Sequence, residues 1–225
     1  MDRRRLLTGG LAVGAAIALP RAVRAQTAAP ALPSPAMSSQ VGHAVEPVPT
    51  GLTPYQRKVL DLAARHKDRV AARLWRADIV GIADFARPSW EPRFHFANLE
   101  NGTVRSFLMA HGKGSDFEHD GWLKNFSNDP GSEATSRGAF LTCEWYTGKY
   151  GTSIRLVGLD PDNSRALERY IVMHAAWYVD PAMIEKWGKI GRSSGCFAMG
   201  NADFNEALIH MSGGRLLFAD RIDTT

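Results

Sequence analysis

Cysteine is scarce here: Cys143 and Cys196 are the only two in 225 residues. That excludes a domain held together by a disulfide framework. Long apolar runs are missing too. The best of them, Leu6 to Pro20, is short and rich in Gly and Ala, which makes it a poor membrane span. An excess of one charge is also lacking once the N-terminus is set aside. The first 25 residues hold five Arg and one Asp, so 27 basic and 23 acidic residues fall to 22 and 22. The overall pI near 9.2 therefore belongs to the N-terminal segment. No basic patch argues for nucleic acid. What remains is an ordinary globular composition, 44% hydrophobic, enough for one good core and too little for two large domains.

The N-terminal pattern predicts an address rather than a fold. Arg3, Arg4 and Arg5 precede the apolar stretch, and Val23-Arg24-Ala25 supplies a small-x-small cleavage signal. Residues 1–25 thus read as a secretory signal peptide, with Gln26 as the mature start and the periplasm as destination. The run from Asp2 to Leu7 fits the twin-arginine type, whose cargo crosses the membrane folded. A plain Sec signal with extra positive charge is the alternative. No cysteine adjoins the cleavage site, which argues against a lipid anchor. A protein folded in the reducing cytosol is expected to keep both thiols free. Residues 26–50, rich in Ala, Pro, Ser and Thr, read as a disordered linker.

From residue 51 the chain looks folded. Thr53-Pro54 opens a helix expected to run to about residue 75, in a segment 51–86 that packs on the core. Strands are expected over 78–84, 94–99 and 104–110, the last two joined by the hairpin signal Asn101-Gly102. Residues 112–138 form a long polar loop, of a kind that often binds ligand. Further strands fall at 139–146, 151–159, 169–175 and 215–219, with a helix over 202–211. The fold class is mainly β, a sandwich or barrel-like domain with a few short helices.

The chemistry centres on a strand-end histidine and a glycine-rich turn bearing a cysteine. Ile171-Val172-Met173-His174 is followed, 22 positions after the His (196 − 174), by Cys196 in Gly191-Arg192-Ser193-Ser194-Gly195-Cys196. A thiol nucleophile needs a base to form thiolate near neutral pH, and imidazole is the usual one. Backbone N–H groups around Gly195 and Cys196 would suit an oxyanion. Taken alone, the pair is matched by a bland reading in which Cys196 is buried and His174 is a satisfied polar group.

Ordered motifs sharpen the choice. They begin with His111-Gly112-Lys113-Gly114-Ser115, Phe126-Ser127-Asn128, Gly131-Ser132 and Ser136-Arg137-Gly138. They continue with Tyr146-Thr147-Gly148-Lys149-Tyr150-Gly151, Gly158-Leu159, Arg169 to His174 and Gly191 to Cys196. In this order the chain from Arg87 to Phe218 resembles the murein L,D-transpeptidase catalytic domain family of the YkuD type, in its extended-loop branch. The resemblance implies a β-sandwich catalytic domain over 87–225, with Cys196 as nucleophile and His174 as its base. It implies that Ser193, Ser194 and Gly195 form the nucleophile's turn, and that His111, Gly112, Ser115 and Arg192 face the substrate. It implies a cysteine acyltransferase acting on peptidoglycan stem peptides through a thioester, with no metal or organic cofactor. An amine acceptor on a second stem peptide or protein and carbapenem-type inhibitors are the implied partners.

Two departures stand out. The family commonly has His where Ser194 stands, and that His is expected to orient the base through its backbone carbonyl. The stretch between His174 and Cys196 is also long, so Trp177, Tyr178 and Trp187 are expected to form a lid or cleft wall. His111 is weighed between lining the donor site and holding the loop, the second being favoured. A metal held by His111, His119 and His174 fits no ordinary zinc spacing. Trp122, Trp145, Tyr146 and Trp177 read as core, or as a platform for glycan or peptide. Three functions stay open: transpeptidase, L,D-carboxypeptidase or amidase, and non-catalytic wall-binding module.

Overall fold

The computed structural model describes residues 51–222. The signal peptide and linker expected over residues 1–50 lie outside the described residues. Helix α1 (Pro54–Arg69) starts where Thr53 and Gln56 form a reciprocal capping box, and it ends before a short 3-10 turn at Ala71–Arg73. Eight strands then form one sheet: β1 (Ile79–Asp84), β2 (Phe94–Asn98), β3 (Thr103–Phe107), β4 (Gly138–Gly148), β5 (Gly151–Gly158), β6 (Val172–Ala175), β7 (Phe197–Met199) and β8 (Leu216–Asp220). Helix α2 (Pro181–Trp187) lies between β6 and β7, and α3 (Asn201–His210) between β7 and β8. The strand order is β3-β2-β1-β8-β4-β5-β6-β7. Bridges Ala110–Ala198 and Gly112–Ser193 bring the chain after β3 onto β7, so the two edges curl toward each other. The result is the mainly β fold expected, as one nearly closed sheet.

The period of two sorts the side chains. Along β8, Leu217 and Ala219 join the inner core with Phe94, Phe140, Met173 and Phe197. Leu216 and Phe218 face the other way and pack with Val59 and Ala63 of α1. Helix α3 covers the inner side through Phe204 and Ala207. Because both faces are covered, β1 and most of β8 are buried at successive residues, and an apolar run replaces alternation. Strand β1 is hydrogen-bonded between β2 and β8, so residues 79–84 are a central part of the sheet. The boundary expected at residue 87 therefore cuts no natural joint.

Two elements escaped the sequence reading. Helix α2 carries its own signals: Asp180 caps the Ala182 N–H at 2.8 Å, Pro181 fills the first position, and Gly188 ends it at φ 71°. Strand β7 has only three residues, too few for a period to show. The expected hairpin at Asn101-Gly102 joins β2 to β3, with Gly102 at φ 68°.

Candidate active site

Strands β6 and β7 run parallel with Met173 opposite Phe197 and His174 opposite Ala198. Met173 and Phe197 point into the inner core. By alternation His174 and Cys196 share the outer face, offset diagonally on neighbouring strands. The segment between the two strands folds back over this face, where Val179 and Ile190 pack with Ala110, Ala176 and Ala198. Both candidates lie beneath it, Cys196 6% and His174 3% exposed.

The orientation of His174 follows from its one side-chain hydrogen bond among the described residues. Its Nδ1 lies 2.9 Å from the Ala175 carbonyl oxygen. A carbonyl can only accept, so Nδ1 carries the proton and Nε2 keeps the lone pair. The orienting carbonyl is thus that of Ala175, not of residue 194, which corrects the role expected there. The Tyr150 ring stacks on the imidazole with centroids 4.6 Å apart. Burial pushes the His174 pKa below its ordinary value, and the Ala175 carbonyl opposes this in part.

The Cys196 thiol sits in a different hydrogen bond. Sγ is 3.5 Å from the Tyr170 carbonyl oxygen, and among the described residues none joins it to His174. Tyr170 itself adopts the left-handed conformation, φ 54°, as the chain turns into β6. Burial raises the thiol pKa, while the Val172 N–H and the Arg169 charge lower it in part. Both shifts favour the uncharged forms, thiol for Cys196 and imidazole for His174. Cys143 is also free and half-buried in β4.

The turn before Cys196 is braced by Ser193, whose Oγ donates to the Cys196 carbonyl at 2.7 Å and accepts from the Gly195 N–H at 3.1 Å. The Gly195 N–H is therefore occupied, which narrows the expected pair of oxyanion donors to the Cys196 N–H. Gly195 holds φ 110°, and a Cβ there would lie 2.8 Å from the Ala134 carbonyl oxygen. Ser194 is exposed, its Oγ 3.2 Å from Glu133, which also pairs with Lys113 at 2.7 Å. Arg192 donates to the carbonyls of Asp116 and Phe117, tying the turn to the long loop.

The other residues expected to face the substrate are structural in this geometry. His111 is fully buried between Arg93 and Asp116. Arg93 Nη2 donates to its Nδ1 at 2.8 Å, and its Nε2 donates to Asp116 at 3.2 Å. Both ring nitrogens are taken, and burial first, then the Arg93 charge, push its pKa down to about 3. Ser115 Oγ accepts from the Thr135 N–H at 2.9 Å, inside the loop. Gly112 packs flat on the nucleophile turn, where a Cβ would meet Gly195 Cα at 2.7 Å. His119 bonds the Ile190 carbonyl instead, and His111, His119 and His174 do not converge.

The sequence profile of the L,D-transpeptidase catalytic domain matches residues 53–219, from the cap of α1 into β8. The chain belongs to that family. No curated protein matches it in sequence. Solved structures similar to it include an L,D-transpeptidase from Mycobacterium smegmatis, at 15% identity and TM-score 0.39, covering 64% of this chain and 58% of that one. Another is L,D-transpeptidase 3 from Mycobacterium tuberculosis in complex with a faropenem-derived adduct, at 11% identity and TM-score 0.41, with 64% and 60% covered. A third is the helical cell shape determining protein Pgp2 from Campylobacter jejuni, at 10% identity and TM-score 0.41, with 65% and 48% covered.

Within the family frame, one residue of the site was not singled out from the sequence. Arg169 lies beside the turn, its Nη2 3.4 Å from where a Gly195 Cβ would stand. It also clamps the long loop, donating to Ser127 O and Ser136 Oγ at 2.6 Å and to Ser132 Oγ at 3.1 Å. Arg169 opens the motif that ends in His174, but its residue type alone announces no role there. Of the aromatics expected to wall the cleft, Trp177 and Tyr178 line a cavity with His174, and Trp187 lines its neighbour.

Proposed function

We propose that this chain is a cysteine-dependent L,D-transpeptidase that works outside the cytoplasm on peptidoglycan stem peptides. The observation that carries the reading is the His174 tautomer: Nδ1 is committed to Ala175, and the basic Nε2 is left on the face that bears Cys196. On this reading the thiol leaves its contact with the Tyr170 carbonyl by a χ1 rotation before it gives up its proton. Catalytic hydrogen bonds of this kind are often long before substrate arrives.

The chemistry then proceeds in balanced steps. His174 Nε2 takes the Sγ proton, and the thiolate attacks the carbonyl carbon of an L-to-D peptide bond. The developing oxyanion is met by the Cys196 N–H, which has no backbone acceptor among the described residues; such a donor is worth about 3 kcal/mol of barrier. Collapse breaks the C–N bond, and the leaving amine receives the imidazolium proton. An acceptor amine next gives its proton to His174 and attacks the thioester, which releases the Cys196 thiol. With water in place of the amine, the same groups make an L,D-carboxypeptidase.

Intact-mass spectrometry of the full chain with a carbapenem tests this. One adduct is expected on Cys196 and none on Cys196→Ala. Acylation of His174→Ala should be slower by about 10²–10⁴-fold. A wild-type protein that never forms the adduct refutes the thiol chemistry and leaves the wall-binding module. New cross-links in treated sacculi support the transpeptidase; shortened stem peptides without them assign the hydrolase.

A further inference from the structure

The segment between β6 and β7 is well anchored, with Val179 and Ile190 buried and Gly191 N–H bonded to the Tyr178 carbonyl at 2.8 Å. Yet it leaves two indoles in solvent, Trp177 72% and Trp187 61% exposed. They add little to the core, and exposed large aromatics beside a cavity are a recognition feature more than a folding one. A cavity of about 500 Å³ is lined by both, together with Met183 and Ile190. Glu118, His119 and Lys189 supply the polar part of its lining. A second cavity of about 460 Å³ adjoins it, shares Trp177 and Tyr178, and reaches His174.

We propose that this aromatic cleft is a saccharide subsite that seats pyranose rings of the glycan strand beside the reacting peptide. The inference rests on the wall-peptide reading of the Cys196 site and adds to it the sugar as a recognised part of the substrate. Three observations favour a sugar over a charged peptide. The polar lining pairs one carboxylate with one ammonium, so it attracts neither sign. The indole faces suit the flat C–H face of a pyranose. The polar lining groups can meet its hydroxyl and acetamido substituents. Each cavity also has a volume suited to a small ligand. The cleft shares Trp177 and Tyr178 with the cavity that holds His174, so a sugar seated there lies one side chain away from the candidate base.

Titration of the full chain with chitotetraose, followed by tryptophan fluorescence and calorimetry, tests the proposal. Saturable binding is expected, weakened about tenfold in Trp187→Ala and in Trp177→Ala. Trp145→Ala, which removes an exposed indole outside both cavities, should bind as the wild type does. In turnover assays Trp187→Ala should raise KM for a disaccharide-linked stem peptide and not for the bare peptide. No saturable binding, or equal binding by the two cleft variants and the wild type, overturns the subsite. Carbapenem acylation of the wild type, run in parallel, separates the two readings. Sugar binding without an adduct keeps the subsite and refutes the thiol chemistry, and an adduct without sugar binding does the reverse.

Discussion

Arg169 shows how one side chain ties several parts of this site together. Its guanidinium reaches the loop at Ser127, Ser132 and Ser136, and its charge lies close enough to Cys196 to lower the thiol pKa against the dominant effect of burial. Removing the charge should raise the pH at which Cys196 becomes thiolate. Iodoacetamide alkylation of Cys196 in Arg169→Met should therefore reach half its limiting rate at higher pH than in the wild type. Arg169→Lys, which keeps the charge, should stay near the wild-type profile. An unchanged profile in Arg169→Met would show that the arginine only braces the loop. The sequence made Cys196 and His174 legible because their residue types announce their chemistry. It did not reveal Arg169, since a lone arginine before a strand is ordinary until folding brings Gly195 against it.

At the scale of elements, α1 is fastened to the sheet by a directed chain of hydrogen bonds. Tyr55 donates to Asp84 at 2.6 Å and accepts from His95 Nε2 at 2.9 Å, and His95 Nδ1 accepts from Ser106 at 2.8 Å. Asp84 also receives the N–H groups of Ala86 and Ile222, so one buried carboxylate joins α1, β1 and the C-terminal segment. Burial and the neighbouring Asp84 push the Tyr55 phenol well above its ordinary pKa, which keeps it a donor. Tyr55→Phe leaves the His95 N–H and an Asp84 lone pair unpaired. It should cost about 1–3 kcal/mol, read as a lower urea midpoint with the same slope. The start of α1 was legible because Thr53, Pro54 and Gln56 form a local signal. Its fastening was not, because Asp84 and His95 are distant in sequence and become partners only through strand pairing.

The whole molecule buries histidines in the neutral form. His95 and His111 are pushed down to about 3, in each case mainly by burial, and His174 is lowered as well. The unfolded chain binds protons at these rings below about pH 6.5, while the folded chain does not. Stability is therefore fully present above that pH and is lost as the pH falls toward the folded values. His95 should contribute a slope of about 1.4 kcal/mol per pH unit in that window, and His111, titrating together with Asp116, adds to it in the same direction. Urea midpoints measured from pH 8 to pH 4.5 should be level at first and then drop below about 6.5. A flat profile across that range would contradict the neutral buried rings.

The sequence by itself determined the local features. Short-range chemistry sets them: the cap of α1, the Asn101-Gly102 hairpin, the strand leading to His174 and the Ser193–Gly195 turn that presents Cys196. Only the tertiary structure decided which of these meet. It put His111 in the core, because Arg93 and Asp116 converge on its two nitrogens. It made residues 79–84 a central strand, because β1 is paired on both edges. It brought Trp177 to the lining of two neighbouring cavities, one with Trp187 and one with His174, because the chain between β6 and β7 folds back over the outer face of the sheet. These relations depend on strand register and on contacts between distant residues, and no spacing along the chain encodes them.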